Sequence, residues 1–376
     1  SALDADSEGE EGKFYTCSPE YAASHLEDSE YELLAQRYGL DRHANFEGSW
    51  HLHACRSYKE LADTFDRSDA DVRDQLQTAR KKLFQVRERR IRPGLDDKIL
   101  TSWNGLMIRG MAYAGRQLDK PAYTESAARA ADYIHDNLWH NKRLLATAKD
   151  GHAHLNAYLD DYAFVISGLL ELLQSQWNSK WLLWAQQLAD VLIEQFEDKN
   201  SGGFFFTSHD HEQLIQRSKS YSDDATPSGN GTAAESLFLL GYLLAEPRYI
   251  DAAERCLKAA WNSINQAAIS HCSLLEALDA HLTPPQIVIL RGPTEELDDW
   301  LQTTIGSYMP HSYNFAIPAH SELPPSLAEK SASDTTLAYV CEGVQCSPPI
   351  SSSSEWKALI DDSKATLEPH PSVPAA

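Results

Sequence analysis

The stretch Asp96-Asp-Lys-Ile-Leu-Thr-Ser-Trp-Asn-Gly-Leu-Met107 sets an acidic doublet at the entrance to an apolar helix, and the chain repeats the device twice. The second copy is Asp160-Asp-Tyr-Ala-Phe164 and the third Asp223-Asp-Ala-Thr-Pro-Ser-Gly-Asn230, so the doublets recur 64 and 63 residues apart. The spacing predicts helices over 102–118, 162–173 and 230–244, apolar round much more than one stripe and therefore buried on most sides. Behind each comes a more amphipathic helix carrying an aromatic one turn ahead of an alanine: Tyr123/Ala127, Trp181/Ala185 and Tyr249/Ala253. Pro121 and Pro247 suit the first turn of two of these, where a missing N–H costs nothing. A unit of buried inner helix, turn, half-exposed outer helix and return loop, repeated, predicts a mainly α chain folded as an (α/α) toroid of helical hairpins, with an open solenoid as the alternative.

The rest of the chain is ordered around this repeat. Two return loops, 143–154 and 202–217, read as strand, turn and strand, and the acidic opening from Asp4 to Tyr15 resembles one more such loop. Helices are expected after Ser18-Pro19, over 31–38 and over 71–90. Past residue 283 the β-runs Gln286-Ile-Val-Ile-Leu-Arg-Gly292, Asn314-Phe-Ala-Ile-Pro318 and Leu337-Ala-Tyr-Val-Cys341 predict a small α/β appendage. The expected division is a partial barrel over 1–283, the appendage over 284–362 and a disordered tail over 363–376.

Composition narrows the function. Of the 376 residues, 33 are Lys or Arg and 55 Asp or Glu, a net charge of −22 that disfavours nucleic acid or an anionic membrane as the main partner. No run approaches the ~20 apolar residues of a membrane span, and no secretory pattern opens the chain. Six cysteines in a chain this long are no disulfide scaffold, so a reducing, cytoplasmic-type compartment is expected. Cys341 and Cys346 form a C-x4-C pair open to a redox reading; with no second pair beside them, no metal site is assigned. Nothing resembles a P-loop, a dinucleotide fingerprint or a serine-hydrolase elbow, and no cofactor is expected.

In a toroid the loops before the inner helices collect at one mouth. The three doublets then converge there, beside Asn104, Tyr162, Ser228 and Asn230. One doublet alone is a helix cap; three at one period make a polar funnel. Paired carboxylates serve glycoside chemistry, one raised in pKa as acid and one ionised, and equally bind sugar hydroxyls. The pairs His51/His53, His152/His154 and His209/His211 are read as solvated loop histidines. The basic run Arg87-Glu-Arg-Arg-Ile-Arg-Pro93 reads as charge complementing a helix end, with an anion contact as the other use.

The blocks Asp4-Ala-Asp-Ser-Glu-Gly-Glu-Glu-Gly-Lys-Phe-Tyr15, Asn45-Phe-Glu-Gly48, Arg92-Pro-Gly-Leu-Asp-Asp-Lys98, Leu159-Asp-Asp-Tyr-Ala-Phe164, Gly202-Gly-Phe-Phe205, Asp224-Ala-Thr-Pro-Ser-Gly-Asn230 and Tyr339-Val-Cys-x4-Cys346 follow one another in order. Together they resemble the spermatogenesis-associated protein 20 / YyaL family of thioredoxin-domain-containing proteins. The resemblance implies a thioredoxin-like domain followed by a six-hairpin, glycosidase-like barrel similar to those of sugar epimerases. It also implies that this sequence lacks the thioredoxin part and the first hairpins. The matched positions are Asp96, Asp97, Lys98, Trp103, Asn104, Asp160, Asp161, Tyr162, Asp224, Ser228 and Asn230.

The function expected is a carbohydrate-binding or carbohydrate-processing barrel, epimerase- or glycosidase-like. Asp97 and Asp161, with Asp96 and Asp160, are the acid/base or hydroxyl-binding carboxylates. Trp103 and Tyr162 are stacking platforms, Asn104 and Asn230 amide partners, and Lys98, Asp224 and Ser228 further ligand contacts. The partner is a sugar or similar polyhydroxylated molecule. The alternative is a non-catalytic scaffold accompanying a thioredoxin-like domain.

Overall fold

The computed structural model describes residues 2–212, 214–305, 309–343 and 345–365, and they form two compact units, Ser1–Lys98 and Ile99–Ala376. This departs from the single domain expected over 1–283. The reason is a separate core: Leu33, Leu34, Leu61, Val72, Leu76 and Ala79 pack on one another within the first unit.

In the first unit, strands β1 (Ala2–Leu3), β2 (Asp6–Ser7) and β3 (Glu10–Glu11) precede helices α1 (Pro19–Ala23), α2 (Asp28–Tyr38), α3 (Tyr58–Phe65) and α4 (Asp69–Arg87), and β4 (Leu95–Asp96) returns to pair with β1. β2 and β3 close the small hairpin expected of the acidic opening. Local chemistry sets the helix ends. Ser18 accepts the Tyr21 N–H with Pro19 in the first turn, Ser57 and Glu60 form a reciprocal capping box, and Gly39 ends α2 at φ +78°.

The second unit is the hairpin array. Inner helices α5 (Thr101–Gln117), α7 (Leu159–Ser175) and α9 (Gly229–Leu244) alternate with outer helices α6 (Pro121–Leu138), α8 (Ser179–Phe196) and α10 (Pro247–Gln266), and α11 (Cys272–Leu282) adds a fourth inner member. Each inner helix packs on the next, and α5, α7 and α9 each pack on an outer partner. The array is thus an arc of an (α/α) toroid. α7 is buried from Asp161 to Gln174, as an apolar helix between two neighbours must be. Where α5 crosses α7, Gly105 and Gly168 face each other: a Cβ on Gly105 would come 2.6 Å from the Phe164 carbonyl carbon, and one on Gly168 would come 2.7 Å from Gly105 O.

The first return loop forms the expected hairpin. β7 (Arg143–Lys149) pairs antiparallel with β8 (His152–Asn156), and short strands β5 (Ile99–Leu100) and β6 (Trp139–His140) also pair with β7. The second does not. Past an isolated bridge between Glu197 and Phe204, residues 205–212 and 214–217 have no strand. The Asn230 amide takes both backbone groups of Phe204, accepting its N–H at 2.7 Å and donating to its carbonyl at 2.9 Å, so the groups a strand partner would use are spent.

The appendage is built of β9 (Gln286–Gly292), α12 (Thr294–Gln302), β10 (Ser312–Pro318), α13 (Pro325–Ala328), β11 (Leu337–Glu342), β12 (Gln345–Cys346) and α14 (Ser353–Ala365), with strand order β10-β9-β11-β12. Strand alternation explains why it belongs to the same unit as the hairpins. Ile287, Ile289, Phe315 and Ile317 point into the hairpin core, while Val288, Leu290 and Val340 face Trp300 and Trp356 on the other side. A strand buried on both faces reads as the unbroken apolar run seen at 287–290. Cys341 and Cys346 pair across the β11–β12 turn and are bonded to each other. The tail expected over 363–376 falls on residues that, from 366 onward, lie outside those described.

Candidate functional site

The doublets do different things. Asp96, Asp97 and Lys98 are exposed in the first unit, at and after β4; Lys98 donates its backbone N–H to Asp96 Oδ1 and its Nζ lies 3.2 Å from Asp96 Oδ2. The second and third doublets stand at the starts of inner helices in the second unit, where Asp161 and Asp223 hold backbone amides.

Asp161 is buried and bridges two helix starts. It accepts the N–H of Tyr158 at 2.8 Å, which caps its own helix, and the N–H of Ser102 at 2.8 Å, in the first turn of α5. Asp223 does the same between α9 and α11, accepting Ser228 N at 2.8 Å and Ser273 N at 3.0 Å. These two side chains therefore clasp neighbouring inner helices through the orphan amides at their first turns. Ser228 caps α9, and Asn230 is wholly buried on Phe204 and Ser220.

Tyr162 departs from the stacking role expected of it. Its ring is fully buried against Phe196, and its hydroxyl accepts the Leu144 N–H at 2.9 Å, so no face is left for a ligand. Asp224 is exposed beyond the clasp, with its backbone N–H on Thr226 O. Asn104 donates to the Leu100 carbonyl one turn back.

Asp160 is the exception in the rim. It is half-buried and accepts no hydrogen bond among the described residues, and burial alone pushes its carboxyl up to about 6. Its Oδ1 lies over Gly229 at the start of α9; a Cβ there would sit 2.1 Å from that oxygen, so only glycine leaves it room. Asp161 beside it is pushed to about 7 by burial, against the pull of the two amides it accepts. Trp103 is 58% exposed, one residue beyond the Ser102 amide that Asp161 holds.

Further along the inner helices lies a charged cavity of about 890 Å³ that the sequence reading passed over. Arg109 on α5 reaches Glu235 on α9 in a two-pronged pair at 2.9 and 3.1 Å, and Arg116 meets Glu171 on α7 at 2.6 Å. Glu276 on α11 faces the same space without a hydrogen-bond partner among the described residues, its carboxyl raised by burial first and by Glu235 next. The signal was available: within helices read as apolar, Arg109, Glu171 and Glu235 interrupt the pattern on the side turned into the arc. Among the described residues no three His, Cys, Asp or Glu side chains gather as a metal cage, and no helix is long and apolar enough to cross a membrane.

Known proteins extend the comparison. Over 358 residues the chain is 28% identical to spermatogenesis-associated protein 20 of Homo sapiens, covering 88% of this chain and 46% of that one. The chain resembles spermatogenesis-associated protein 20. The protein of that name from Rattus norvegicus is 29% identical over 77% of this chain and 39% of its own length. The chain thus spans less than half the length of these curated relatives. No family model matches it. Among solved structures, cellobiose 2-epimerase from Spirochaeta thermophila DSM 6192 aligns with a TM-score of 0.37 at 17% identity, over 45% of this chain and 44% of that one. A GH76 alpha-mannanase of Bacteroides thetaiotaomicron aligns at 0.41 and 13% identity, over 73% of each. At these values neither bears on a reaction.

Proposed function

We propose that the hairpin arc binds a sugar or similar polyhydroxylated ligand at the rim formed by the second and third doublets, and that Asp160 is its acid/base group. The observation that carries this is the division within one doublet. Asp161 spends its oxygens on two helix starts, whereas Asp160 is half-buried, accepts no hydrogen bond among the described residues and is raised to about 6. A buried carboxyl without a partner costs stability, and such groups gather where proton transfer is needed. Trp103 supplies an apolar face for a sugar ring; epimerisation and glycoside hydrolysis both draw on these parts.

The test is a melting-temperature screen of the full chain against mono- and oligosaccharides, run on wild type, Asp160→Asn and Trp103→Ala. A sugar at 100 times its dissociation constant stabilises by about 2.7 kcal/mol. Stabilisation of wild type that falls in Trp103→Ala supports the reading, with turnover lost in Asp160→Asn. The competing reading, a scaffold accompanying a thioredoxin-like domain, is favoured by the structural commitment of Asp161, Asp223, Ser228 and Asn230, and predicts no shift with any sugar.

A further inference from the structure

An acidic chain of net charge −22 carries, in its first unit, a groove of about 840 Å³ walled by Arg73, Arg80, Lys81, Arg87 and Arg90 and, among the described residues, by no carboxylate. Helix geometry lines up three of them. Arg73, Arg80 and Arg87 recur every seven residues along α4, so they share a face and are spread over about 21 Å. The facing wall is aromatic, with Tyr15, Tyr38 and Tyr58, and the partly exposed Leu52 and Leu83 contribute apolar surface.

The cations are unequally committed. Arg90 is structural: it donates to the Thr16 carbonyl at 2.7 Å and the Phe14 carbonyl at 3.0 Å and lies 4.4 Å over the Tyr21 ring. Arg73 shares Asp69 at 3.2 Å and stacks 4.0 Å from the Tyr58 ring centre. Arg87 lies 3.5 Å from Glu88, and its buried Nε has no hydrogen-bond partner among the described residues. Arg80 and Lys81, side by side and exposed, have neither an ion pair nor a hydrogen bond among the described residues. Exposed cations without a counter-charge on the groove's edge give it a local positive potential against the field of the whole chain.

We propose that this groove binds a short, extended acidic polypeptide segment in which Asp or Glu alternates with apolar residues. An extended strand of about six residues at ~3.3 Å each matches the length of the arginine row. Its alternation sends carboxylates to α4 and apolar side chains to the tyrosine and leucine surfaces. Guanidiniums set one every two turns suit a line of separate carboxylates better than one compact phosphate. A long polyanion would meet the repulsion of the whole acidic chain, whereas a short segment meets chiefly the groove.

The test is fluorescence anisotropy of the full chain with a labelled peptide, Asp-Leu-Glu-Phe-Asp-Leu-Glu, and its Asn/Gln counterpart. The acidic peptide is expected to bind, weakening as salt rises from about 50 to about 300 mM, and the neutral one to bind at least tenfold less tightly. Arg80→Glu/Lys81→Glu is expected to weaken binding about tenfold or more at an unchanged melting temperature, and Arg80→Ala by less. Equal binding of the two peptides, or an undiminished affinity in both variants, would overturn the proposal. So would displacement by inorganic tripolyphosphate at concentrations below the peptide's own dissociation constant, which would make the groove a small-anion site.

Discussion

Two adjacent aspartates with the same model-compound chemistry are driven apart by what surrounds them. Asp160 is raised to about 6 with no hydrogen bond to offset burial, against ~3.9 in an unfolded chain. The folded state therefore holds its proton more tightly than the unfolded one. The associated stability is fully present below about pH 4 and is lost as pH rises through 6. Asp160→Asn removes that loss, and is expected to be more stable than wild type by on the order of 2 kcal/mol at pH 7.5, the gap closing toward pH 4. Asp161→Ala should behave oppositely. It strips the acceptor from the Tyr158 and Ser102 amides, and at pH 5, where the folded carboxyl holds its proton, it is expected to cost on the order of 2 kcal/mol. Denaturant melts of the two variants across pH 4–8 check both signs.

At the scale of elements, the arc depends on how closely inner helices approach. Gly105 and Gly168 meet backbone to backbone, which no rotamer change can relieve. Gly105→Ala is expected to cost about 1–3 kcal/mol and Gly168→Ala a similar amount, read as a lowered denaturation midpoint. Most elements were legible in the sequence because their periods are unmistakable: the inner helices begin within three residues of their expected starts, and β9, β10 and β11 fall on the three β-runs. The loop over 202–217 carries a Gly-Gly-Phe-Phe-Phe pattern that looks like a strand yet forms none beyond the bridge at Phe204. What decides its path is a side chain 26 residues on, Asn230, which local pattern cannot reveal. The same blindness made Tyr162 look like a platform, since an aromatic at a helix start reads alike whether it faces a funnel or Phe196.

For the whole molecule, the repeat revealed that inner helices share an end, and the carboxyls of Asp160, Asp161 and Asp223 do stand at those starts. It did not reveal that the region before Lys98 builds a core of its own, because a helix's apolar positions do not say which core they line. Nor did it mark the charged interior, where Arg109 crosses to Glu235 between helices two apart in the arc. If the rim is a polyol site worked by Asp160, ligand binding by the intact chain must carry that group's proton with it. The measurement is calorimetric titration at pH 6 in two buffers of unequal ionisation enthalpy, using the sugar that raises the melting temperature most. The account predicts a buffer-dependent heat in wild type that disappears in Asp160→Asn; the same proton exchange in both proteins, or no sugar heat in either, would contradict it.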